Sequence, residues 1–496
     1  MTTDYREDHW NKLARSFHEN LHNMSIPGLG KTTATVEMIQ LDLFHHPDHH
    51  WIIAAPQHRL IEGDDNILSM FSDTVDVAHL KGKSRDNPHF NEDQCYIEGC
   101  SKCPHRETCP YLNQGWKSQV LVCPYEMLYT IPSHVGIHHR GYSEMVGWWG
   151  LVFEEEPTRA WFNKLTLTAA TIPYVNMEDE QNIPYWGGNY RFFDHITFNE
   201  FDVDTIPKYR LYQTMKYYTD FHVHEYQGQY TLFCHRKNMV PHWASRVILN
   251  CATTPRAFRE VMFGRTRFTE FKGDAPPLLN NILRIGQKWG VTMADKYKQG
   301  MYDYLAALEE KDVFMITKQL LEPFFEDVVT DIAHFGSSRG FNDYNKEYDL
   351  VVVYGGFHWT PLSRLMFFKL GVMHDIIDVL EDAEVIQAVN RFRPYFHPNS
   401  PIIIASNYSV MEHDEWSIIG QRVFSSESNT YIKSYKQTLA RFTHCYVNKQ
   451  FSRNDLILID ARTMTTKEIA TKYNLSTRTI RRIYGYAKND QTTTQL

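Results

Sequence analysis

The feature of this sequence that most constrains its fold is a series of short, uninterrupted apolar runs, each followed by polar or glycine-containing sequence. The runs are Trp51–Ala55, Leu151–Phe153, Val247–Leu249, Val313–Ile316, Leu350–Val353 and Ile402–Ile404. Apolar runs of this length without alternation are typical of strands that are buried on both faces of a parallel sheet. The sequence therefore predicts an α/β fold over roughly the first 420 residues.

Length and composition indicate the class of protein. A chain of 496 residues is too long to fold around a single hydrophobic core of ordinary size, so two or three domains are expected. No run of about 18 apolar residues occurs, and the start from Met1 to Trp10 is polar and charged, unlike a secretory signal. We therefore expect a cytoplasmic protein without membrane association, located in the host cell if the chain is viral. In that reducing compartment the 8 cysteines are not expected to form a disulphide framework.

The segment Ser25–Thr33 contains the Gly-Lys-Thr core of a phosphate-binding loop. In such a loop, backbone N–H groups and the start of the next helix hold phosphates, the lysine meets the β and γ phosphates, and the next hydroxyl reaches Mg²⁺. The candidate residues for ATP and Mg²⁺ are Gly28, Gly30, Lys31, Thr32 and Thr33. Ser25 stands where the pattern usually begins with glycine, so an ordinary turn before a helix is the alternative.

An acidic turn follows the apolar run Leu151–Phe153, which delivers Glu154 and Glu155 to the carboxyl end of a predicted strand. P-loop NTPases place at this point the acid that holds Mg²⁺ through water and the acid that polarises the attacking water. We therefore predict catalytic roles for both carboxylates, although Glu154 carries one methylene more than the usual aspartate. A solvated acidic turn is the alternative.

Four further segments occur in the order that superfamily-two helicases show. Ala54–Gln57 resembles the motif that contacts the nucleic-acid backbone, and Leu249–Pro255 is similar to the Ser-Ala-Thr motif that couples hydrolysis to strand movement. His334–Asn342 resembles the fifth motif, and Gln387–Pro394 resembles the sixth. The resemblance to this family spans roughly Ser25 to Pro394.

The sixth motif carries an arginine that reaches the γ phosphate from the second motor domain of these helicases. The resemblance therefore implies catalytic roles for Gln387 and for Arg391. Arg393 is the alternative arginine, because Asn390 replaces the usual glycine and the second arginine comes one residue early.

Four cysteines lie within fifteen positions of one polar segment: Cys95, Cys100, Cys103 and Cys109. Thiolates at this density indicate a structural metal site, and their spacing is compatible with either Zn²⁺ or a 4Fe–4S cluster. The segment ends in Cys109-Pro110-Tyr111 and lies between the second-strand motif and the acidic motif. In this order the chain resembles the XPD/DinG-type helicases, which implies an iron–sulphur cluster near the point of strand separation. A purely structural role for the site is the alternative.

The segment Thr465–Ile483 predicts two helices joined by a turn at Asn474, with Thr466 and Ser476 as their capping residues. Small apolar side chains at helical spacing and a basic second helix are typical of a helix-turn-helix that reads duplex DNA. The candidate DNA-binding residues are Arg478, Arg481 and Arg482. A basic helical hairpin that packs on the rest of the protein is the alternative.

Together these patterns predict two RecA-like P-loop motor domains at 1–300 and 301–430 and an all-α helix-turn-helix module at 455–496. The first motor domain contains a metal-binding insertion at 79–116 and an arch-like insertion at 158–246. The predicted function is that of an ATP-dependent DNA helicase or translocase of a virus or mobile element, acting in replication or repair. The family resemblance implies 5′-to-3′ movement on single-stranded DNA and action on forked duplex DNA. The alternatives are a DNA-binding regulator that has lost turnover and a DNA-stimulated ATPase that does not unwind.

Overall fold

The computed structural model describes residues 2–25, 29–62, 66–139, 142–185, 187–273, 280–284, 291–308, 310–335, 344–406, 439–440, 442–450, 452–460 and 464–492. The chain forms two compact units. The first unit contains Thr3–Asp274 and Trp359–Leu380, and the second contains Ala275–His358 and Glu381–Leu496. Within the described ranges, no helix is both long and apolar enough to cross a lipid bilayer.

The helices of the described chain are α1 (Thr2–Ser16), α2 (Lys31–His45), α3 (His58–Ile61), α4 (Pro132–Val135), α5 (Thr158–Trp161), α6 (Ile206–Tyr217), α7 (Arg256–Phe263), α8 (Val291–Ala306), α9 (Glu322–Phe325), α10 (Pro361–Lys369), α11 (His374–Val389), α12 (Arg453–Asp460), α13 (Thr466–Lys472) and α14 (Thr477–Thr492). Its strands are β1 (Leu21–Asn23), β2 (His50–Ala55), β3 (Val77–His79), β4 (Val120–Pro124), β5 (Ile137–His139), β6 (Tyr142–Glu144), β7 (Trp149–Glu154), β8 (Phe162–Leu167), β9 (Val175–Tyr185), β10 (Gly188–Phe198), β11 (Asp220–Tyr226), β12 (Gln229–His235), β13 (Arg246–Asn250), β14 (Thr269–Phe271), β15 (Ile282–Arg284), β16 (Val313–Thr317), β17 (Asp331–His334), β18 (Leu350–Tyr354) and β19 (Ile402–Ala405).

The first unit is built on a seven-stranded sheet with the order β14-β1-β13-β7-β2-β4-β3. Every pair of neighbouring strands in it is parallel. The three predicted strands of this unit form β2, β7 and β13, whose apolar side chains are buried. Both faces of the sheet are covered, which explains why these strands are continuously apolar.

The strand order determines which loops lie close enough to form one site. The phosphate-loop segment follows β1, the acidic turn follows β7, and β13 lies between these two strands. Because parallel strands end at the same edge of a sheet, the residues that follow β1, β13 and β7 lie side by side.

An antiparallel sheet separates β7 from β13 in sequence. Its five strands have the order β8-β12-β11-β10-β9. Leu211 of α6 packs with Val223 and Leu232 on one face of this sheet. On the other face, Phe192 and Phe233 pack against α10, which follows much later in the chain. The aromatic-rich segment that shows no period in sequence therefore forms an inserted sheet with a helix on each face.

The second unit contains a five-stranded parallel sheet with the order β15-β19-β18-β16-β17. The predicted strands Val313–Ile316, Leu350–Val353 and Ile402–Ile404 form β16, β18 and β19. Two parallel sheets with flanking helices confirm the α/β class that the apolar runs predict.

Three helices, α12, α13 and α14, pack around Ile457, Ile469 and Ile480 near the end of the chain. Asn474 has a φ of 51° in the turn between α13 and α14, a left-handed conformation that asparagine tolerates. The prediction that Thr466 caps α13 is wrong by one residue. Thr465 is the cap. Its hydroxyl accepts a hydrogen bond from the Glu468 N–H, and the Glu468 carboxylate accepts a hydrogen bond from the Thr465 N–H.

Candidate functional site

The phosphate-loop segment leads directly into α2, a helix of 15 residues. Gly30 precedes the helix with a φ of 78°, a conformation that costs glycine little. The Lys31 Nζ donates a hydrogen bond of 2.7 Å to the Ser25 carbonyl oxygen, so the ammonium group lies over the start of the loop. The predicted residue Gly28 lies outside the described residues.

Ser25, which replaces the usual first glycine of the loop, is fully buried and has a specific role. Its hydroxyl oxygen accepts a hydrogen bond of 2.8 Å from the Gly273 N–H, and its own N–H donates to the Asn23 Oδ1 at 3.2 Å. The serine side chain therefore ties the loop to the end of β14, which a glycine at this position could not do.

The carboxylate of Glu154 lies against the first turn of α2. Thr32 Oγ1 donates to Glu154 Oε2 at 2.8 Å, and Asn250 Nδ2 donates to Glu154 Oε1 at 2.7 Å. Burial raises the pKa of Glu154 to about 6, and the hydrogen bonds from Asn250 and Thr32 oppose this shift. The structure thus brings together Thr32 and Glu154, while Thr33 is exposed and its hydroxyl lies 3.9 Å from the Met70 sulphur.

The acidic turn after β7 has a defined backbone conformation. Glu155 has a φ of 67°, and its N–H donates to the Asn250 carbonyl oxygen at 3.0 Å. The buried Tyr125 hydroxyl donates to the Glu154 carbonyl oxygen and to that of Glu155, the latter at 3.1 Å. These bonds hold the turn at the carboxyl end of β7, beside the start of α2.

Asn250 connects three elements of the site. Besides its bond to Glu154, its amide donates to the Thr35 Oγ1 of α2 at 3.0 Å. The sequence did not indicate Asn250 as a site residue, although it lies in the segment that is similar to the Ser-Ala-Thr motif. The signal present in the sequence was a polar residue directly after a buried apolar run.

The predicted residues of the sixth motif lie in the second unit. Gln387 is buried on α11, and Arg391 is half-buried just beyond the end of that helix. The Asn390 side chain donates to the Ile386 carbonyl oxygen at 2.8 Å, and Arg393 has a left-handed φ of 55°. Most of the predicted fifth motif, residues 336–342, lies outside the described residues.

The four cysteines of the polar segment line a single pocket. Lys83, Asn87, Tyr111 and Leu112 complete its lining. Cys95 and Cys109 are buried, Cys100 and Cys103 are partly exposed, and all four are free thiols. The Asn87 Nδ2 lies 3.9 Å from the Cys109 Sγ. Among the described His, Cys, Asp and Glu side chains, no group of three or more is placed to hold a metal ion.

The three predicted DNA-binding arginines lie on α14. Arg478, Arg481 and Arg482 are exposed near the start of this helix. The Ser476 hydroxyl accepts a hydrogen bond of 3.1 Å from the Thr479 N–H, as predicted for its cap. The arginines therefore project from the capped end of the second helix of the pair.

No protein-family model matches the chain, and no curated protein sequence matches it. Among solved structures, Xpd4 of S. tokodaii is similar at 10% identity and a TM-score of 0.43, with 91% of this chain and 99% of that chain covered. The helicase Lhr of Mycobacterium smegmatis, in a structure bound to ssDNA and AMP-PNP, is similar at 10% identity and a TM-score of 0.37. That match covers 82% of this chain and 46% of Lhr.

Proposed function

We propose that this chain is an ATP-dependent DNA helicase or translocase that moves on single-stranded DNA. The observation that carries the proposal is the contact network of Thr32, Glu154 and Asn250 at the start of α2. A hydroxyl and a carboxylate that meet at the start of a phosphate-loop helix form the arrangement that a magnesium–nucleotide site needs.

Each residue of the network has a distinct role in this proposal. The N–H groups at the start of α2 and the Lys31 ammonium group bind the phosphates of ATP, for which Lys31 leaves the Ser25 carbonyl. Thr32 and Glu154 would hold Mg²⁺, which when bound would neutralise charge on the phosphates. Glu155 orients the attacking water, and the family resemblance assigns the γ phosphate to Gln387 and Arg391, or to Arg393 in place of Arg391.

The four cysteines are proposed to hold a 4Fe–4S cluster, with Zn²⁺ as the alternative. The support is that all four thiols line one pocket and that none of them forms a disulphide. The bound group would link the ends of a segment that has little regular secondary structure. Metal and acid-labile sulphide analysis of anaerobically purified protein decides between the two: iron with sulphide supports the cluster, and zinc alone rejects it.

The three-helix module is proposed to bind a duplex DNA site and thereby recruit the motor, as in the replication or repair of a virus or mobile element. The support is the exposed position of Arg478, Arg481 and Arg482 on α14. Selection from a randomised duplex pool by the full chain should enrich a common sequence. Replacing all three arginines by alanine should abolish that enrichment and leave hydrolysis stimulated by single-stranded DNA unchanged.

The decisive experiment measures ATP hydrolysis by anaerobically purified protein, with and without single-stranded DNA, beside Lys31→Ala. DNA-stimulated hydrolysis that falls by at least ~10²-fold in the variant supports the motor. Strand-separation assays on forked substrates with 5′ or 3′ tails then test the proposed 5′-to-3′ direction. Nucleotide binding without turnover in a folded, metal-loaded sample would instead indicate the regulator, and hydrolysis without strand separation would indicate the ATPase that does not unwind.

A further inference from the structure

A histidine lies in β1, the strand that leads into the phosphate loop. The side chain of His22 is completely buried. Both of its ring nitrogens have polar partners from distant parts of the sequence: Nδ1 lies 2.6 Å from Arg259 Nη1, and Nε2 lies 3.0 Å from the Cys251 carbonyl oxygen. The ring therefore joins the strand before the phosphate loop to the turn after β13 and to α7.

These two partners determine which ring nitrogen of His22 carries the proton. A guanidinium group has only N–H donors, so Arg259 donates to Nδ1, which must be unprotonated. The proton therefore lies on Nε2, and this N–H donates to the Cys251 carbonyl oxygen. Burial, aided by the positive charge of Arg259, lowers the pKa of His22 to about 4, so the ring is neutral at neutral pH. His22 is thus an acceptor towards α7 and a donor towards the turn after β13.

The guanidinium group that fixes this tautomer is itself held in place. Arg259 lies on α7 and is only 5% exposed. Its Nη2 donates to Glu270 Oε1 at 2.8 Å, and Glu270 lies beside His22 in the pairing of β14 with β1. On its other side, β1 pairs with β13. The hydrogen bonds from Glu270 to the Cys251 carbonyl therefore cross three neighbouring strands and leave the imidazole ring one orientation.

The carbonyl that His22 holds belongs to the turn that carries Asn250. Cys251 directly follows Asn250, whose amide donates to the Glu154 carboxylate at 2.7 Å. The Asn250 carbonyl oxygen accepts a hydrogen bond of 3.0 Å from the Glu155 N–H, which follows β7. The turn after β13 is thus held from both neighbouring strands, through Glu155 on one side and His22 on the other. Release of the His22 side would let the Asn250 amide move away from the Glu154 carboxylate.

We propose that His22 is a positioning residue of the nucleotide site, whose Nε2–H holds the turn after β13 so that Asn250 keeps the Glu154 carboxylate in place for Mg²⁺. This role rests on the proposed function, to which it adds a residue outside the phosphate loop and the acidic turn. Loss of a group that hydrogen-bonds to a metal ligand commonly lowers metal affinity by about 10- to 100-fold. His22 acts one residue farther from the ligand than Asn250 does, so we expect a smaller effect.

The test measures binding of a fluorescent, non-hydrolysable ATP analogue to the full chain, with Mg²⁺ and with EDTA. The ratio of the two affinities is the gain that Mg²⁺ provides. His22→Gln places an amide N–H near the position of Nε2 and keeps the donor to Cys251, so its gain should equal that of the wild type within about twofold. His22→Asn places its amide near the position of Nδ1, which keeps an acceptor for Arg259 and removes the donor. Its gain should be at least about fivefold smaller, with affinity in EDTA unchanged.

Two further variants separate this effect from a general loss of stability. The matched control is His224→Asn, which removes a buried imidazole from β11 of the inserted sheet and should leave the gain unchanged. His22→Met/Arg259→Met replaces both members of the buried pair by apolar side chains, which a protein core tolerates better than one unpaired charge. This variant lacks the same donor and should show the same smaller gain, so it decides the question if His22→Asn does not fold.

ATP hydrolysis with and without single-stranded DNA, measured on the same samples, reports separately on the motor. A smaller gain in the variants that lack the donor, with a normal gain in His22→Gln and His224→Asn, supports the positioning role even if the wild type shows no hydrolysis. Equal gains in the wild type and in the variants that lack the donor overturn this role and leave the motor proposal standing. Equal losses in His22→Gln or in His224→Asn also overturn it. A wild type that does not bind the analogue, or binds it without a gain from Mg²⁺, overturns it together with the nucleotide site.

Discussion

Replacing Asn250 by alanine should lower the local stability of the seven-stranded sheet at the carboxyl ends of its strands, where the candidate nucleotide site lies. The size of this loss should depend on pH. The variant removes an N–H donor 2.7 Å from the buried Glu154 carboxylate and 3.0 Å from the Thr35 hydroxyl. A hydrogen bond to a charged group contributes about 1.5–3 kcal/mol to stability. The expected loss at about pH 8 is therefore on the order of 2–3 kcal/mol.

Protonation of Glu154 sets an upper limit on this loss. Its pKa in the folded protein is about 6, so at about pH 8 the carboxylate can become neutral at a cost of roughly 2.7 kcal/mol. The folded state binds this proton more tightly than the unfolded state, so the contribution of Glu154 to stability falls as pH rises from 4.5, the ordinary pKa of glutamate, through about 6. Removing the Asn250 amide raises the pKa of Glu154 further, so the loss of stability in Asn250→Ala grows with pH. At about pH 6 we expect a loss of only about 1 kcal/mol.

Hydrogen–deuterium exchange of the peptides that cover β7 and β13 measures this loss of stability locally. A local measurement is needed because a chain with two units need not unfold in a single transition. Exchange corrected for intrinsic rates should be about 30- to 150-fold faster in Asn250→Ala than in the wild type at about pH 8. The control Asn176→Ala removes an exposed amide of the inserted sheet and should leave these peptides unchanged. An equal acceleration at both pH values, or the same effect in a Glu154→Gln background, would refute the reasoning.

Three further predictions concern the order of cysteine alkylation, a helix cap and a buried histidine. Iodoacetamide should alkylate Cys100 and Cys103 of metal-free protein before Cys234, because the first two are partly exposed and burial raises the pKa of Cys234 to about 12; peptide mass spectrometry gives the order. Thr465→Ala should speed exchange in α13 by roughly fivefold, since loss of a capping residue costs about 1 kcal/mol, and unchanged exchange there would contradict the assigned cap. Burial, aided by a nearby guanidinium, lowers the pKa of His22 to about 4, so the contribution of His22 to stability should fall as pH drops from 6.5 towards 4. The thermal-denaturation midpoint of the wild type should fall relative to that of His22→Gln over that interval, and a constant difference between the two proteins would exclude a contribution from His22.

Much of the fold was predictable because its signals are local. The six apolar runs all form strands of parallel sheets, since a strand covered on both faces needs apolar side chains at every position. The turn residue Asn474 and the cap Ser476 were also identified, because their conformations depend on the nearest few residues. The inserted sheet was not recognised, since its strands mix aromatic and polar residues without regular alternation.

The candidate site was predictable in part. Thr32 and Glu154 were both selected from sequence, and they lie in hydrogen-bond contact, although their roles remain predictions. Asn250 was not selected, because nothing in its local sequence shows that β13 lies between β1 and β7.

By itself, the sequence determined which segments form the core strands of the two parallel sheets and which side chains are candidates for chemistry, because periodicity, capping and turn preferences act over a few residues. Only the tertiary structure decided which of these groups meet. Asn250 and Glu154 are 96 residues apart in sequence, and Lys369 of α10 reaches Asp194 of the inserted sheet across 175 residues. Such contacts depend on strand order and on the packing of apolar faces over the whole chain, which no short segment encodes.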